Sequence, residues 1–155
     1  MSTSGLSGED IVFRPVHRDD LLSLVHIDEE TSGENRADYL ARKLDAALDA
    51  TWNIPISNVV EVKGDVVGFI MVQVASGEFG LPESVATIDT IGILPVYNGK
   101  GLAGELFSHT VTQLRKLGVT RIQTLVDWLD QDLIGFFASR GFAPGGMLFL
   151  EKNVD

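Results

Sequence analysis

The 155-residue sequence predicts one α/β domain built on a mixed, mostly antiparallel sheet. Three observations lead there. Val59–Val62 and Val66–Val74 are β-branched runs on either side of Lys63-Gly64-Asp65, the pattern of an antiparallel hairpin. Ile88, Ile91 and Ile93 form another such run, and it passes through a glycine-rich turn into a helical pattern of Leu102, Leu106, Val111, Leu114 and Leu117. A further strand, Arg121–Val126, follows that helix, and a right-handed crossover would set it parallel to the isoleucine strand.

In chain order, residues 1–8 are rich in Ser and Gly and read as a flexible N-terminus, with the domain spanning 9–155. Ile11–Val16 alternates and reads as an edge strand with Pro15 near its end. Asp19-Asp20 open a helix with Leu21, Leu24, Val25 and Asp28 on one face, and Thr31-Ser32-Gly33 breaks it. A second helix carries Leu40, Leu44, Ala47 and Leu48. Ser76–Glu83 reads as a loop. Pro95 ends the isoleucine strand because it lacks an N–H and fixes its own φ. Asp127-Trp128-Leu129 leads into a helix over Asp130–Arg140 that Gly141 caps. Gly145-Gly146 separates two short strands expected at Phe142-Ala143 and Met147–Glu151. His17, His26 and His109 are isolated and read as packing or surface residues.

Composition excludes several functions. Hydrophobic residues are 45% and charged residues 22%, which is globular rather than disordered. The absence of cysteine rules out disulfides, thiolate metal sites and an acetyl-cysteine intermediate, and no metal site is expected. A net charge of −10 gives no basic footprint for nucleic acid. No apolar run approaches the roughly 20 residues of a membrane span. With no signal peptide, a cytoplasmic location is expected.

Asn98-Gly99-Lys100-Gly101-Leu102-Ala103-Gly104 carries the strongest chemical signal. Glycines between a strand end and a helix start let backbone N–H groups converge, and the helix dipole adds positive potential, which suits a phosphate or pyrophosphate. A Walker A loop is excluded, because Gly92 lies too far from Gly99-Lys100 and Gly101 replaces the Ser or Thr. Gly99, Gly101 and Gly104 match the Rossmann fingerprint in spacing, but no acid ends the next strand and the preceding strands read as an antiparallel meander.

The same loop resembles the acyl-CoA pyrophosphate loop of the GNAT superfamily of N-acetyltransferases, Arg/Gln-x-x-Gly-x-Gly/Ala, with Asn98 in the first position. Pro95-Val96-Tyr97 is similar to that superfamily's lead-in. Asp130–Phe142 resembles its Asn-x-x-Ala-x-x-Phe-Tyr-x-x-x-Gly-Phe segment, with Asp130, Leu133 and Phe137 at the Asn, Ala and Tyr positions. The resemblance covers nearly the whole chain. It implies a GNAT-like fold with helices on both sheet faces, and acetyl-CoA as co-substrate. It further implies direct acetyl transfer to a primary amine, either a protein N-terminus or a small amine, with a homodimer as a possible assembly. The alternative is an acyl-CoA-binding sensor without catalysis.

That resemblance puts acetyl-CoA on Asn98, Gly99, Lys100, Gly101, Leu102, Ala103 and Gly104, with Ile93, Asp130 and Phe137 completing its site. The Ile93 backbone N–H would serve as oxyanion donor. Phe137 takes the place of the tyrosine that usually protonates the thiolate, and would pack on the thiol arm. Asp89 is the first candidate for the base, with Glu83, Glu30 and Asp127 behind it, all acting through ordered water. The first two helices would wall the acceptor groove, so Glu30, Tyr39 and Asp127 are its candidate contacts, with Glu29 and Arg36 nearby.

Overall fold

The computed structural model describes residues 10–49, 55–76 and 84–155. They fall into two compact units, one ending at Thr124 and the other running from Leu125 to Asp155. The first unit contains β1 (Ile11–Pro15), α1 (Leu21–Ser32), α2 (Ala37–Leu48), β2 (Asn58–Val62), β3 (Asp65–Ser76), β4 (Ser84–Ile93), α3 (Leu102–Lys116) and β5 (Arg121–Thr124). The second contains α4 (Gln131–Ser139).

The five strands lie in sequence order, β1-β2-β3-β4-β5. The first three pairings are antiparallel and only β4 with β5 is parallel. The α/β class with a mixed, mostly antiparallel sheet is therefore borne out. Helices cover both faces. Val59, Phe69 and Met71 point to one face, where they are buried with Leu24 and Ile27 of α1 and Leu40, Leu44 and Ala47 of α2. Burying each of these large apolar side chains is worth about 1.5–3 kcal/mol.

Asn58 points to the opposite face. Its Nδ2 donates to Thr110 Oγ1 at 3.0 Å and to Gln113 Oε1 at 2.8 Å, which ties β2 to α3. Asn58 and Thr110 are each 1% exposed, so both groups need these partners. The apolar stripe Leu102, Leu106 and Leu114 of α3 is buried on the same side as Thr110.

Two expectations fail in the second unit and beside it. β5 stops at Thr124 instead of reaching Val126. No strand forms at Phe142-Ala143 or Met147–Glu151. β-branched and aromatic residues favour strands only where a neighbouring strand and a surface to cover exist. Met147, Leu148, Phe149 and Leu150 pair with no strand among the described residues and are 61–86% exposed.

Candidate active site

The glycine turn forms as a helix entry. Pro95–Tyr97 makes one turn of 3-10 helix after β4. Gly99 and Gly101 then adopt φ of 78° and 80°, the left-handed region that side chains disfavour. Gly101 is the N-cap of α3 and has no side chain with which to cap it. The first-turn N–H groups, Leu102 to Gly104, consequently receive no side-chain cap from the N-cap residue at the positive end of a 15-residue helix dipole. The turn therefore fits an anionic group such as a pyrophosphate. Within it Asn98 and Gly99 are exposed, Lys100 and Ala103 half-buried, and Leu102 and Gly104 buried.

Asp89 occupies a special place on β4. Thr90 lies opposite Met71 on β3 and Ile88 lies opposite Val72, so Asp89 is the extra residue of a β-bulge. Strict alternation would send neighbouring residues to opposite faces. The bulge instead puts Asp89 and Thr90 together on the face covered by α1 and α2.

The parallel ladder ends at the same point. Its last pair is Ile88 with Thr124, whose Oγ1 donates to the Ile88 carbonyl at 2.9 Å. Residues 89–93 have no ladder partner on β5. Leu94 N–H donates to the Val67 carbonyl on β3. In the alternation of an antiparallel ladder, Ile93 and Ile91 therefore turn their backbone groups away from β3, toward the β5 side. The Ile93 side chain is buried over Gly68, where a Cβ would lie 2.3 Å from its Cδ1. A side chain at 68 would force the tip of Ile93 to shift.

The helix wall beside Asp89 carries a chain of charges. Asp28 on α1 is 2% exposed and holds Arg36 through two hydrogen bonds, at 2.8 Å to Nε and 2.5 Å to Nη2. The hydrogen bonds that Arg36 donates to Asp28 raise the Arg36 pKa and outweigh the opposing effect of burial. The Arg36 guanidinium sits 5.0 Å from the centroid of the Tyr39 ring, and Lys43 Nζ sits 5.8 Å from the same ring. Lys43 also reaches Asp89, at 3.5 Å. α1 packs directly on β4 at Gly92, where a Cβ would make ordinary contact with Ile27 and Phe69 at 3.4 Å and with Thr31 at 3.8 Å.

Tyr39 and Asp89, predicted separately, are thus joined through Lys43, which the sequence reading missed. The signal was present: Arg36, Tyr39 and Lys43 are spaced to share one face of α2. Glu30 is exposed on α1. Asp127 accepts from the Leu129 N–H at 2.8 Å, and Asp130 caps α4 by accepting from the Leu133 N–H at 3.1 Å. Phe137 is buried, with its ring 5.4 Å from Phe136 and 4.9 Å from Phe142. Glu83 lies outside the described residues. Among the described residues no cluster of His, Cys, Asp and Glu could hold a metal ion, and no helix is long and apolar enough to cross a membrane.

Comparison with known proteins places this geometry. No curated protein sequence matches the chain. Among solved structures, a transcriptional regulator from Bacillus halodurans C-125 superposes with a TM-score of 0.76 at 18% identity, over 93% of this chain and 99% of that one. The aminoglycoside N-acetyltransferase AAC(6')-Iy in complex with CoA gives 0.75 at 13% identity, over 92% and 94%. The ribosomal-protein-S18-alanine N-acetyltransferase from Escherichia coli gives 0.72 at 20% identity, over 87% and 79%. The acetyltransferase (GNAT) family model matches residues 21–142. A match from α1 through α4 takes in the glycine turn, the bulged strand and the helix wall together, and the chain accordingly belongs to the GNAT acetyltransferase family as an N-acetyltransferase.

Proposed function

We propose that the protein moves an acetyl group from acetyl-CoA directly to a primary amine, a small amine or a protein N-terminus. The observation that carries this is the coincidence on β4 of the Asp89 bulge with the end of the β4–β5 ladder. One irregularity aims a carboxylate at the helix wall, and the other frees backbone donors a few residues further along the strand.

Each part has a role. The N–H groups of Gly99 to Gly104 hold the pyrophosphate of acetyl-CoA, which supplies the acetyl thioester. The Ile93 N–H donates to the thioester oxygen and strengthens its bond as negative charge develops there. Asp89 takes the proton of the attacking amine. Four residues of strand separate Asp89 from Ile93, about 13 Å of rise, so the proton travels through ordered water. The chain has no cysteine for a covalent acetyl intermediate, and direct attack matches that composition. Phe137 stands where the superfamily motif has tyrosine, and a CoA-like thiol with pKa about 8.5 can depart as thiolate near neutral pH without a donor. The acidity of the chain, −10 overall, favours the approach of a cationic acceptor.

Thiol release from acetyl-CoA, measured against a panel of alkylamines, polyamines and peptides with free N-termini, tests the reading. Asp89→Asn should lower kcat at least about a hundredfold, the scale of general-base catalysis, and leave acetyl-CoA affinity unchanged. Tight acetyl-CoA binding with no thiol release for any amine would leave the sensor reading in its place.

A further inference from the structure

We infer that Asn98 is a self-modification site: the Gly99 backbone nitrogen displaces its side-chain amide, and the carboxylate left behind disables the glycine turn as an anion site. The second half rests on the pyrophosphate assignment made above; the first half does not.

Sequence and structure together single out this asparagine. Of Asn35, Asn53, Asn58, Asn98 and Asn153, it alone precedes a glycine; the others precede Arg, Ile, Val and Val, whose side chains shield the backbone nitrogen that has to attack. Asn58 is 1% exposed, with its Nδ2 held by Thr110 and Gln113. Asn35 uses both ends of its amide, donating to Glu29 at 3.3 Å and accepting from the Ala37 N–H at 3.1 Å. Asn98 and Gly99 are both exposed. Among the described residues, neither the Asn98 side chain nor the Gly99 N–H has a hydrogen-bond partner.

The step needs no co-reactant but water. Gly99 N gives up its proton to solvent and attacks Asn98 Cγ. The N–Cγ bond closes a succinimide ring, the Cγ–Nδ2 bond breaks, and the nitrogen leaves as ammonia. Water then opens the ring at either carbonyl, leaving an aspartyl or an isoaspartyl residue. Asn98 has ψ of 149°, so the Gly99 nitrogen must first turn toward Cγ. Gly99 permits this: at φ 78° it has no Cβ to restrict rotation, and nothing lies within 4 Å of where a Cβ would be. The positive end of the α3 dipole favours the deprotonated nitrogen.

The product places a negative charge beside the N–H groups assigned to the pyrophosphate, and the isoaspartyl form also adds a methylene to the backbone of the turn. Conversely, a pyrophosphate on the turn engages the Gly99 N–H and holds the peptide still. Bound acetyl-CoA therefore protects Asn98, and the protein ages only without it.

The test incubates the full chain at mildly alkaline and mildly acidic pH, with and without acetyl-CoA, and follows each asparagine by peptide mass spectrometry. Amide loss at Asn98 should run at least about tenfold faster than at Asn35 or Asn153, because Gly99 has no Cβ to shield its nitrogen. It should be faster at the alkaline pH and slowed by acetyl-CoA. Asn98→Asp should bind acetyl-CoA at least about tenfold more weakly than the fresh parent, the scale of one like charge near a surface site. In Asn98→Gln, acetyl-CoA affinity should stay constant through the incubation while that of the parent declines. Loss at Asn98 no faster than at Asn35 would overturn the modification. Equal affinity in the fresh parent and Asn98→Asp would overturn its effect. Loss that acetyl-CoA fails to slow, in protein shown by calorimetry to be saturated with it, would overturn the protection. If the amide is lost as described and fresh protein binds no acetyl-CoA, the pyrophosphate assignment fails and takes only the second half of the inference with it.

Discussion

Gly101→Val separates the fold from the anion site most sharply. Gly101 sits at φ 80° and ψ 5° as the N-cap of α3. For a residue with a Cβ, the left-handed region costs about 1–2 kcal/mol, and a β-branched side chain is the worst case. A domain with about 5–15 kcal/mol of stability survives that, with a fall in Tm of about 2–8 °C at this chain length. The turn can instead relax by rotating Gly101 out of the left-handed region, which swings the neighbouring N–H groups off their common point. Each backbone hydrogen bond to a charged phosphate contributes about 1.5–3 kcal/mol. Losing two removes about 3–6 kcal/mol, a fall in acetyl-CoA affinity of roughly a hundredfold to ten-thousandfold. Calorimetric titration measures the affinity and thermal melting the fold. A folded variant that binds acetyl-CoA within threefold of the parent would refute the assignment of the pyrophosphate to this turn.

Two further predictions concern residues away from the turn. Gly68→Ala brings a Cβ to 2.3 Å from Ile93 Cδ1 and 2.9 Å from Val60 Cγ1, so those side chains must shift. Overpacking of this kind costs about 1–3 kcal/mol, a fall in Tm of about 2–12 °C at this chain length. An unchanged Tm would show that the Ile93 and Val60 side chains repack without cost. His109 lies stacked on Phe13, with ring centroids 5.5 Å apart, and burial pushes its pKa below the ordinary 6.5. The folded state then binds fewer protons than the unfolded chain. Its contribution to stability is whole above pH 6.5 and declines as pH falls through 6.5 toward the lowered folded value. Denaturant midpoints across pH 7.5 to 5 should show a decline that His109→Gln flattens; the same slope in both proteins would contradict it.

The sequence by itself determined what neighbouring residues decide among themselves. Helical spacing marked Leu40, Leu44 and Ala47 as the buried stripe of α2, and Leu102, Leu106 and Leu114 as that of α3. The turn at Gly99 and Gly101 was legible because only glycine enters the left-handed region freely, so those letters already encode the bend. The lead from an isoleucine strand through that turn into a helix pointed to a turn that fits an anion and, with the Asp130–Phe142 resemblance, to the family. Tertiary structure decided everything that depends on a partner far along the chain. The bulge at Asp89 exists only in the register between β3 and β4, and a strand pattern of period two cannot show which position holds the extra residue. Where β5 ends, and so where β4 is left without a ladder neighbour on its β5 side, is likewise a property of the pair. Met147–Glu151 read as a strand, yet a strand requires a neighbour to accept its hydrogen bonds, and none among the described residues pairs with it. In the sequence Lys43 is one of several charges on the second helix. Its meaning appears only when α2 is laid across the sheet and its ammonium comes to rest beside Asp89. Coulomb attraction depends on distance in space, and the sequence records only distance along the chain.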